Sequence, residues 1–244
     1  MKPIKLLVIL GVIGSILTAG LLCGQQLAIT GSGNLEMQKR EVGSFCGVSS
    51  SSGINVTLKN GKENMVSVTA DDNILNLIIT EVKDNRLIIK YKNNVNMKQS
   101  KACEVIVVMK EVCDLSASSG SKIKSTDTFS GNKIELNTSS GASIKVGLNA
   151  NEISCSSSSG SAITLTGTAD KMTANVSSNG EIKAGSMTIS DVEAEASSGG
   201  EIDVNVNRSI VARASSGGEI TYSGNPQTVD KKSSSGGQIK AAVN

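Results

Sequence analysis

The 244-residue sequence contains no histidine and no tryptophan, and only two phenylalanines, two tyrosines and two prolines. The lack of histidine excludes catalysis by imidazole and metal sites with histidine ligands. The scarcity of aromatic rings disfavours a lectin-type site, because such sites usually stack sugars on tryptophan or tyrosine. It also predicts a narrow interior filled by small side chains.

An excess of charge of one sign is also lacking. The formal net charge is +2, while Val, Ile and Leu recur along the whole chain. Disordered chains usually carry more net charge and fewer β-branched residues. The composition therefore predicts an ordered all-β protein that is built from many short strands.

Residues 1–24 are predicted to be a signal peptide or a lipoprotein signal. Lys2 and Lys5 precede an uncharged apolar run at 6–22, which is typical of an export signal. Cys23 follows directly, so one prediction is that Cys23 is acylated after cleavage, although the residue before it is larger than that cleavage prefers. Cleavage elsewhere and an uncleaved membrane anchor are the alternatives.

Removal of this segment leaves 22 basic and 22 acidic residues. A net charge of zero disfavours nucleic acid and an anionic membrane as partners, since both need a basic surface. Membrane attachment is therefore expected only through the N-terminus.

An internal repeat organises the chain from about residue 113. Its marker is Ser-Ser-Gly, or once Ser-Ser-Asn, with an isoleucine three residues after the third position. The marker isoleucines are Ile123, Ile144, Ile163, Ile182, Ile202, Ile220 and Ile239, at intervals of 18 to 21 residues. Periods of this size are typical of stacked supersecondary units.

Mostly apolar residues also recur ten and eight positions before each marker isoleucine and two after it, with polar residues between them. This alternation places one side of each short strand inward. One repeat has too few strands to bury its apolar side, so the repeats are expected to stack and pair in parallel. We predict an all-β fold: a right-handed, single-stranded parallel β-helix, or β-solenoid, with coils of about 19 residues. The third marker residue is expected at a corner with positive φ.

The region 25–112 is less regular than 113–244, which contains the repeat coils. A marker-like triplet occurs there once, at 49–51, and is followed by Ile54. This alignment puts Cys46 eight positions before the marker isoleucine. We therefore predict that 25–112 forms elaborated N-terminal coils of the same β-helix.

Three local features are predicted within this region. Residues 54–59 and 65–70 are expected to form a hairpin, because the Asn-Gly at 60–61 is a strong turn signal. The Asp-Asp-Asn at 71–73 favours one helical turn at 74–78. The polar segment 93–101 is expected to protrude as a loop.

Several short motifs occur in a specific order. A Gly-Ser-Gly at 31–33 is followed by a Gly-Ile-Asn at 53–55, by Thr-Ala-Asp-Asp-Asn at 69–73 and then by the Ser-Gly repeats. In this order they resemble the family named putative auto-transporter adhesin, head GIN domain, over roughly residues 30–244. The resemblance implies a right-handed parallel β-helix exported to the surface or periplasm of Bacteroidetes-like bacteria. It implies no catalytic or binding residue in this chain.

The five cysteines have two interpretations. An exported protein meets an oxidising compartment, where disulfides form. However, Cys46, Cys113 and Cys155 fall at inward positions, where cysteine behaves as a small apolar side chain. We predict that these three are buried thiols. Cys103 and Cys113 bracket an extended strand and are expected to be too far apart to bridge.

The serine pairs of the marker have no histidine, and no lysine at a fixed offset, to act as a base. They are therefore not predicted to be nucleophiles. We expect them to form ladders of hydroxyl groups that bond to backbone groups at the corners. As an alternative, they offer a regular polar face to a glycan or a protein.

A candidate surface ladder consists of Glu181, Glu201 and Glu219, each one residue before a marker isoleucine. In successive coils these side chains are expected to lie about 4.8 Å apart. Their repulsion could be relieved by raised pKa values, by pairing with Lys183 or Arg213, or by bound Ca²⁺. We predict a solvated ladder rather than a metal site.

The predicted function is non-enzymatic: an exported, cell-envelope-associated β-solenoid that is adhesin-like or structural at the surface. No catalytic residue, cofactor or metal site is predicted. The expected partner is a surface glycan or a protein of a host or neighbouring cell. The expected location is the outer membrane, the cell surface or the periplasm, with or without a lipid anchor. The alternative is a polysaccharide-binding or glycan-processing β-helix protein, of which the enzyme would need clustered acidic residues.

Overall fold

The computed structural model describes residues 27–100 and 103–242. Within these ranges the chain forms a β-solenoid of about 7 turns with coils of about 19 residues, which confirms the predicted solenoid. The predicted signal at 1–24, with Cys23, lies outside the described residues. No helix in the described ranges is long and apolar enough to cross a membrane.

Short strands form the N-terminal part of the fold. They are β1 (Leu27–Thr30), β2 (Leu35–Arg40), β3 (Gly47–Ser50), β4 (Asn55–Asn60), β5 (Met65–Asp71), β6 (Ile78–Lys83), β7 (Arg86–Tyr91), β8 (Val95–Gln99), β9 (Cys103–Met109) and β10 (Asp114–Ala117). One helical turn, α1 (Asp72–Leu75), follows β5.

Long strands form the repeat coils, and each runs around most of one coil. They are β11 (Lys122–Thr138), β12 (Ser143–Ser157), β13 (Ala162–Val176), β14 (Glu181–Ala196) and β15 (Glu201–Ala214). Three shorter strands follow, namely β16 (Glu219–Gly224), β17 (Thr228–Ser233) and β18 (Gln238–Ala241).

Neighbouring repeat coils pair in parallel, each strand from β11 to β15 with the next. Equivalent residues lie opposite one another, so that Ile163 faces Ile144 on one side and Ile182 on the other. The marker isoleucines from Ile123 to Ile220 are at most 1% exposed. The inward register predicted from the alternation is therefore confirmed for these coils.

Each repeat coil turns a corner at its marker. The second and third marker residues both have positive φ, as at Ser119 (51°) and Gly120 (73°). Backbone bonds between coils hold the corner, since the Gly120 N–H donates to the Ser140 carbonyl at 3.0 Å. The predicted corner conformation of the third residue is confirmed. The second residue shares it, which the sequence pattern did not indicate.

The hydroxyl groups that bond in the interior flank the marker rather than belong to it. The buried hydroxyls of Thr138, Ser157 and Ser161 lie 3.0 Å from one another. The second serine of each marker, in contrast, is exposed. The corner is thus held by backbone groups that satisfy one another, and not by the predicted ladder of marker hydroxyls.

The coil of β3 and β4 lies between two later segments of the chain. β3 pairs in parallel with β7 on one side and β10 on the other, while β4 pairs with β9 and β11. Antiparallel strands then close this end: β6 pairs with β7, β5 with β9, and β2 with β5. Together with the repeat coils they form a 16-stranded sheet.

Three local predictions for this region need correction. The segments 54–59 and 65–70 do not form a hairpin, because β9 lies between β4 and β5 and pairs with both. The segment 93–101 is not simply a loop, since it contains β8, which pairs in parallel with β1. The helical turn begins at Asp72, two residues earlier than predicted, and buries Ile74 and Leu75.

The register predicted for the first coil is wrong by two residues. Val56, not Ile54, lies opposite the marker isoleucine Ile123. The positive φ values of Ser52 and Gly53 place the corner at 51–53 rather than at 49–51. When repeat positions are counted back from Val56 instead of Ile54, every position assigned in this coil moves by two residues.

The corrected register brings two cysteines together. Cys46 and Cys113 each lie ten residues before the isoleucine position of their coil, and a disulfide joins them with a Cα–Cα distance of 5.3 Å. The predicted buried thiols are therefore wrong for this pair. Cys155 is a buried free thiol, as predicted, and Cys103 is also free.

Candidate functional site

Two of the motifs that carry the family resemblance contact each other. They are the Gly-Ser-Gly at 31–33 and the Thr-Ala-Asp-Asp-Asn at 69–73. The Gly33 N–H donates to Asp71 Oδ1 at 2.7 Å, and the Ser32 N–H donates to Asn73 Oδ1 at 3.0 Å. Asn73 Nδ2 in turn donates to the Thr30 carbonyl at 3.0 Å. Asp71 is fully buried, so these bonds compensate the loss of water around its carboxyl group. The motifs thus fasten β1 and β2 to the end of β5.

The Gly-Ile-Asn motif forms the corner of the first coil. Gly53 has a φ of 75° and donates its N–H to the Ser119 carbonyl at 2.9 Å. The Ile54 side chain is fully buried at a position where later coils have Ser121, Ala142 or glycine. The motif therefore serves packing and chain direction.

The three glutamates named above occupy one column of the repeat coils. Glu181 lies opposite Glu201, and Glu201 opposite Glu219, in three successive coils. The Lys183 ammonium lies 2.6 Å from Glu181, and that of Lys240 lies 2.9 Å from Glu219. Bonding to Glu181 raises the pKa of Lys183 above its usual range.

Other pairings in the ladder differ from the prediction. Arg213 lies 3.9 Å from Glu195 on a different column and does not neutralise the ladder. In the described part of the chain, Glu201 is in no ion pair. The described residues also include no group of three or more acidic or cysteine side chains that is placed to hold a metal ion.

A groove of about 420 Å³ runs beside the ladder and is lined by Glu181, Lys183, Glu201 and Asp203. Asp203 leans over the backbone of Gly185, since a Cβ atom built on Gly185 would lie 2.3 Å from Asp203 Oδ2. Partial burial raises the pKa of Asp203, and Lys183 opposes this shift. We call this surface the acidic groove.

A second groove, of about 520 Å³, follows the long axis of the solenoid. One wall is a column with one residue from each of five successive coils: Ser156, Asn175, Glu195, Arg213 and Lys232. The other wall contains the first serines of four markers: Ser177, Ser197, Ser215 and Ser234. Val176, Ala196 and Ala214 lie between the two walls, but their side chains belong to the buried core. We call this surface the polar groove.

The polar groove has a small excess of positive charge. Glu195 and Arg213 approach to 3.9 Å and partly neutralise each other. Lys232, at the end of the column, makes no ion pair within the described ranges. The groove can therefore donate and accept hydrogen bonds along its length and carries one cation that a ligand could neutralise.

A third groove, of about 460 Å³, has an apolar lining at the N-terminal end of the solenoid. Met37, Met65, Ile106 and Val108 line it on the outer side of β2, β5 and β9. Met37 is 66% exposed and Met65 57% exposed. These side chains are outside the repeat columns, so the repeat pattern did not indicate them.

The pKa values of the two free thiols and of the Tyr91 phenol are raised, which disfavours their reactive, ionised forms. Burial raises the pKa of Cys155 and of Cys103. Burial and a bond with Cys103 raise the pKa of Tyr91. At neutral pH these groups are therefore protonated, which weakens them as nucleophiles.

The sequence pattern indicated the carboxylate column, but it indicated neither the polar groove nor the apolar groove. The column from Ser156 to Lys232 could have been found, because each of its residues lies seven positions before the following marker isoleucine. Its composition changes from coil to coil, however, and a column of mixed polar residues resembles ordinary solvated surface. The groove itself depends on the distance between the column and the corner of each coil, and the sequence does not show that distance.

Solved structures with the same fold include three from Bacteroides and Parabacteroides species. A putative adhesin from Bacteroides fragilis has a TM-score of 0.82 at 20% identity, covering 88% of this chain and 100% of that one. A putative adhesin from Parabacteroides merdae has a TM-score of 0.70 at 17% identity, covering 88% and 99%. A putative lipid binding protein from Parabacteroides distasonis has a TM-score of 0.67 at 24% identity, covering 89% and 100%. At these identities the likeness concerns the fold alone.

The family assignment rests on the sequence itself. No curated protein matches the chain. The family described as putative auto-transporter adhesin, head GIN domain, matches residues 44–226, which is more than half of the 244 residues. The matched region extends from the disulfide-linked first coil to the end of β16. The chain therefore belongs to the putative auto-transporter adhesin, head GIN domain family.

Proposed function

We propose that the protein is a non-enzymatic, exported, envelope-associated adhesin that presents the outer surface of its solenoid to a partner on another surface. The partner is a glycan, or a protein of a host or neighbouring cell. The observation that carries the proposal is the column of outward polar side chains from Ser156 to Lys232, which stacks in register over five coils. Such a row offers the same spacing of contacts at every coil, which suits an extended partner.

Export is supported by the disulfide between Cys46 and Cys113. Structural disulfides persist in oxidising compartments and are rare where thiols are kept reduced. The apolar run at 6–22 supplies the export signal in this proposal. Acylation of Cys23 then ties the domain to the envelope.

The anchor is tested by cell fractionation. The full chain is expected in the membrane fraction, and the Cys23→Ala variant in a soluble fraction. Identical partition of the two proteins into membranes would show that another attachment, such as an uncleaved helix, holds the protein. Cleavage of the domain by protease added to intact cells would report surface exposure.

The adhesive role is tested with cells that produce the full chain and matched cells that lack it. More of the producing cells should remain on surfaces coated with host matrix proteins or bacterial polysaccharides after washing. Soluble domain added in excess should release them. Equal retention of both cell types on every surface would contradict the proposal.

A second candidate is processing of a glycan in the acidic groove. The specific observation is that Glu201 and Asp203 face the same groove while partial burial raises the pKa of Asp203. Glycosidases combine one protonated carboxyl group with one ionised carboxylate. Release of reducing sugar ends from polysaccharides by the wild type, lost in Asp203→Asn, would favour this candidate over the adhesive one.

A further inference from the structure

We propose that the polar groove binds one strand of a polysaccharide that carries carboxylate groups, lying parallel to the solenoid axis. This inference rests on the proposed adhesive function and names the chemical class of its partner.

The length of the groove suits a short run of sugars. Its column takes one residue from each of five coils, from Ser156 to Lys232. Neighbouring parallel strands lie about 4.8 Å apart, so four steps span roughly 19 Å. One step is close to the length of one sugar residue in an extended chain. An extended peptide advances only about 3.3 Å per residue and would lose register with the coils.

The walls of the groove present the polar groups that sugar hydroxyls require. The side chains of Val176, Ala196 and Ala214 belong to the buried core and are at most 4% exposed, so binding depends on the walls. Ser197 and Ser215 present hydroxyl groups from one wall, while Asn175 and Glu195 present amide and carboxylate groups from the other. Sugar hydroxyls both donate and accept hydrogen bonds, as these side chains do.

The charge of the groove selects an acidic strand. Arg213 is held at 3.9 Å from Glu195, and the Lys232 ammonium makes no ion pair within the described residues. A carboxylate on the sugar would pair with Lys232 and share Arg213 with Glu195, and such charge-assisted bonds are the stronger ones. The acidic groove has the opposite excess, with Glu181, Glu201 and Asp203 against Lys183. It would repel the same ligand.

The first test is a calorimetric titration of the domain with oligogalacturonates of two to eight residues, beside the same oligosaccharides with methyl-esterified carboxyl groups. Affinity should rise with length up to about four residues and then level off, because the groove spans roughly four coil steps. The esterified series should bind at least tenfold more weakly. Affinity that grows steadily with length, or equal binding of both series, would overturn the inference.

The second test compares charge-matched variants at low and moderate salt. Arg213→Gln with Lys232→Gln should weaken binding of the four-residue acid by about tenfold or more, since two charged hydrogen bonds are lost. Ser197→Trp should also weaken it, by filling the groove. Lys124→Gln with Lys145→Gln removes the same charge from an exposed column on another part of the coil and should leave affinity unchanged.

Thermal unfolding of each variant separates loss of binding from loss of folding. All the substituted side chains are at least partly exposed, so the melting temperatures should stay close to that of the wild type. Equal weakening by the control pair would show non-specific attraction and overturn the inference. If cells with the groove variant still adhere as strongly as the wild type, the groove inference fails while the adhesive function stands.

Discussion

Cys46 and Cys113 occupy equal positions in neighbouring coils, and a disulfide joins them with a Cα–Cα distance of 5.3 Å. The bond closes a segment of 67 residues. That segment contains β3 to β9, which form the closed end of the solenoid. The disulfide therefore ties the least regular part of the chain to the first regular coil.

Removal of this disulfide should destabilise the fold strongly. For a loop of this length, the chain-entropy estimate gives about 4 kcal/mol of free energy of unfolding lost in Cys46→Ser with Cys113→Ser. Chemical denaturation at equilibrium measures the change. Cys103→Ser is the control, since that thiol is free and should matter little. Equal denaturation midpoints for the double variant and the wild type would contradict a structural disulfide.

The inward register is tested on one coil. Ile163 is fully buried between the coils above and below, while Thr166 is exposed on the same strand. Ile163→Asp should cost several kcal/mol or prevent folding, because an unpaired charge is buried. Thr166→Asp should change stability by about 0.5 kcal/mol or less. Similar melting temperatures for both variants would show that the strand faces the other way.

Close approach of the coils is tested at the residue after the marker. A Cβ atom on Gly218 would lie 2.4 Å from the Ala196 carbonyl oxygen. Gly218→Ala should therefore cost about 1–3 kcal/mol, as overpacking does. Ala142 occupies the equivalent position of an earlier coil, so Ala142→Gly should cost less, about 0.5–1 kcal/mol. A Gly218→Ala protein as stable as the wild type in urea would refute this close contact.

Stability at acid pH should depend on Asp191. Arg208 Nε donates to Asp191 Oδ1 at 2.8 Å and Ser209 Oγ donates to the same oxygen at 2.7 Å. The bonds from Arg208, and then that from Ser209, hold the pKa of Asp191 well below its usual range. The folded protein thus keeps this carboxylate ionised where the unfolded chain binds a proton. Its contribution is complete above the unfolded pKa and is lost as the pH falls through the folded pKa.

The measurement is thermal unfolding of the wild type and Asp191→Asn between pH 7 and pH 2. The wild type should be more stable above about pH 5, and the difference should shrink below about pH 4. Arg208→Gln should make the stability depend less on pH in the same way, because it removes the main hydrogen-bond donor to Asp191. A gap that widens toward low pH would reverse the sign and contradict the assignment.

We expect Lys231 to protect the last described coil from pairing with other chains. It lies opposite Ala212 in the apolar column, and its ammonium donates to the Tyr222 hydroxyl at 3.0 Å. Exposed strand edges invite pairing with other chains, and charged side chains oppose this. Lys231→Leu should therefore self-associate at high concentration in sedimentation experiments. Asp230→Leu, which adds an apolar side chain facing outward, should associate less, and equal behaviour of the two would exclude this protective role.

The repeat made most of the solenoid predictable. Isoleucines such as Ile144 and Ile182 recur at a fixed spacing, and a side chain buried between stacked coils must keep that spacing. The first coil was misread because Ile54 follows its marker directly, whereas the counterpart of the marker isoleucine is Val56. The two-residue error separated Cys46 from Cys113 and hid the disulfide.

The remainder depends on tertiary pairing that local patterns do not encode. β4 and β5 alternate apolar and polar residues as the strands of a hairpin do, yet β9 inserts between them. Alternation fixes which side of a strand is buried but not which strand pairs with it. The polar groove likewise depends on the distance between Asn175 and the Ser177 corner across several coils, which emerges only when the coils are stacked.

The adhesive role is tested most directly with beads coated with the purified domain, residues 25–244, under flow over panels of host matrix proteins and bacterial polysaccharides. We expect saturable retention on at least one acidic polysaccharide, released by excess soluble domain and reduced by Arg213→Gln with Lys232→Gln. Beads that carry heat-denatured domain set the background. Retention at that background on every surface would show that the domain is not adhesive.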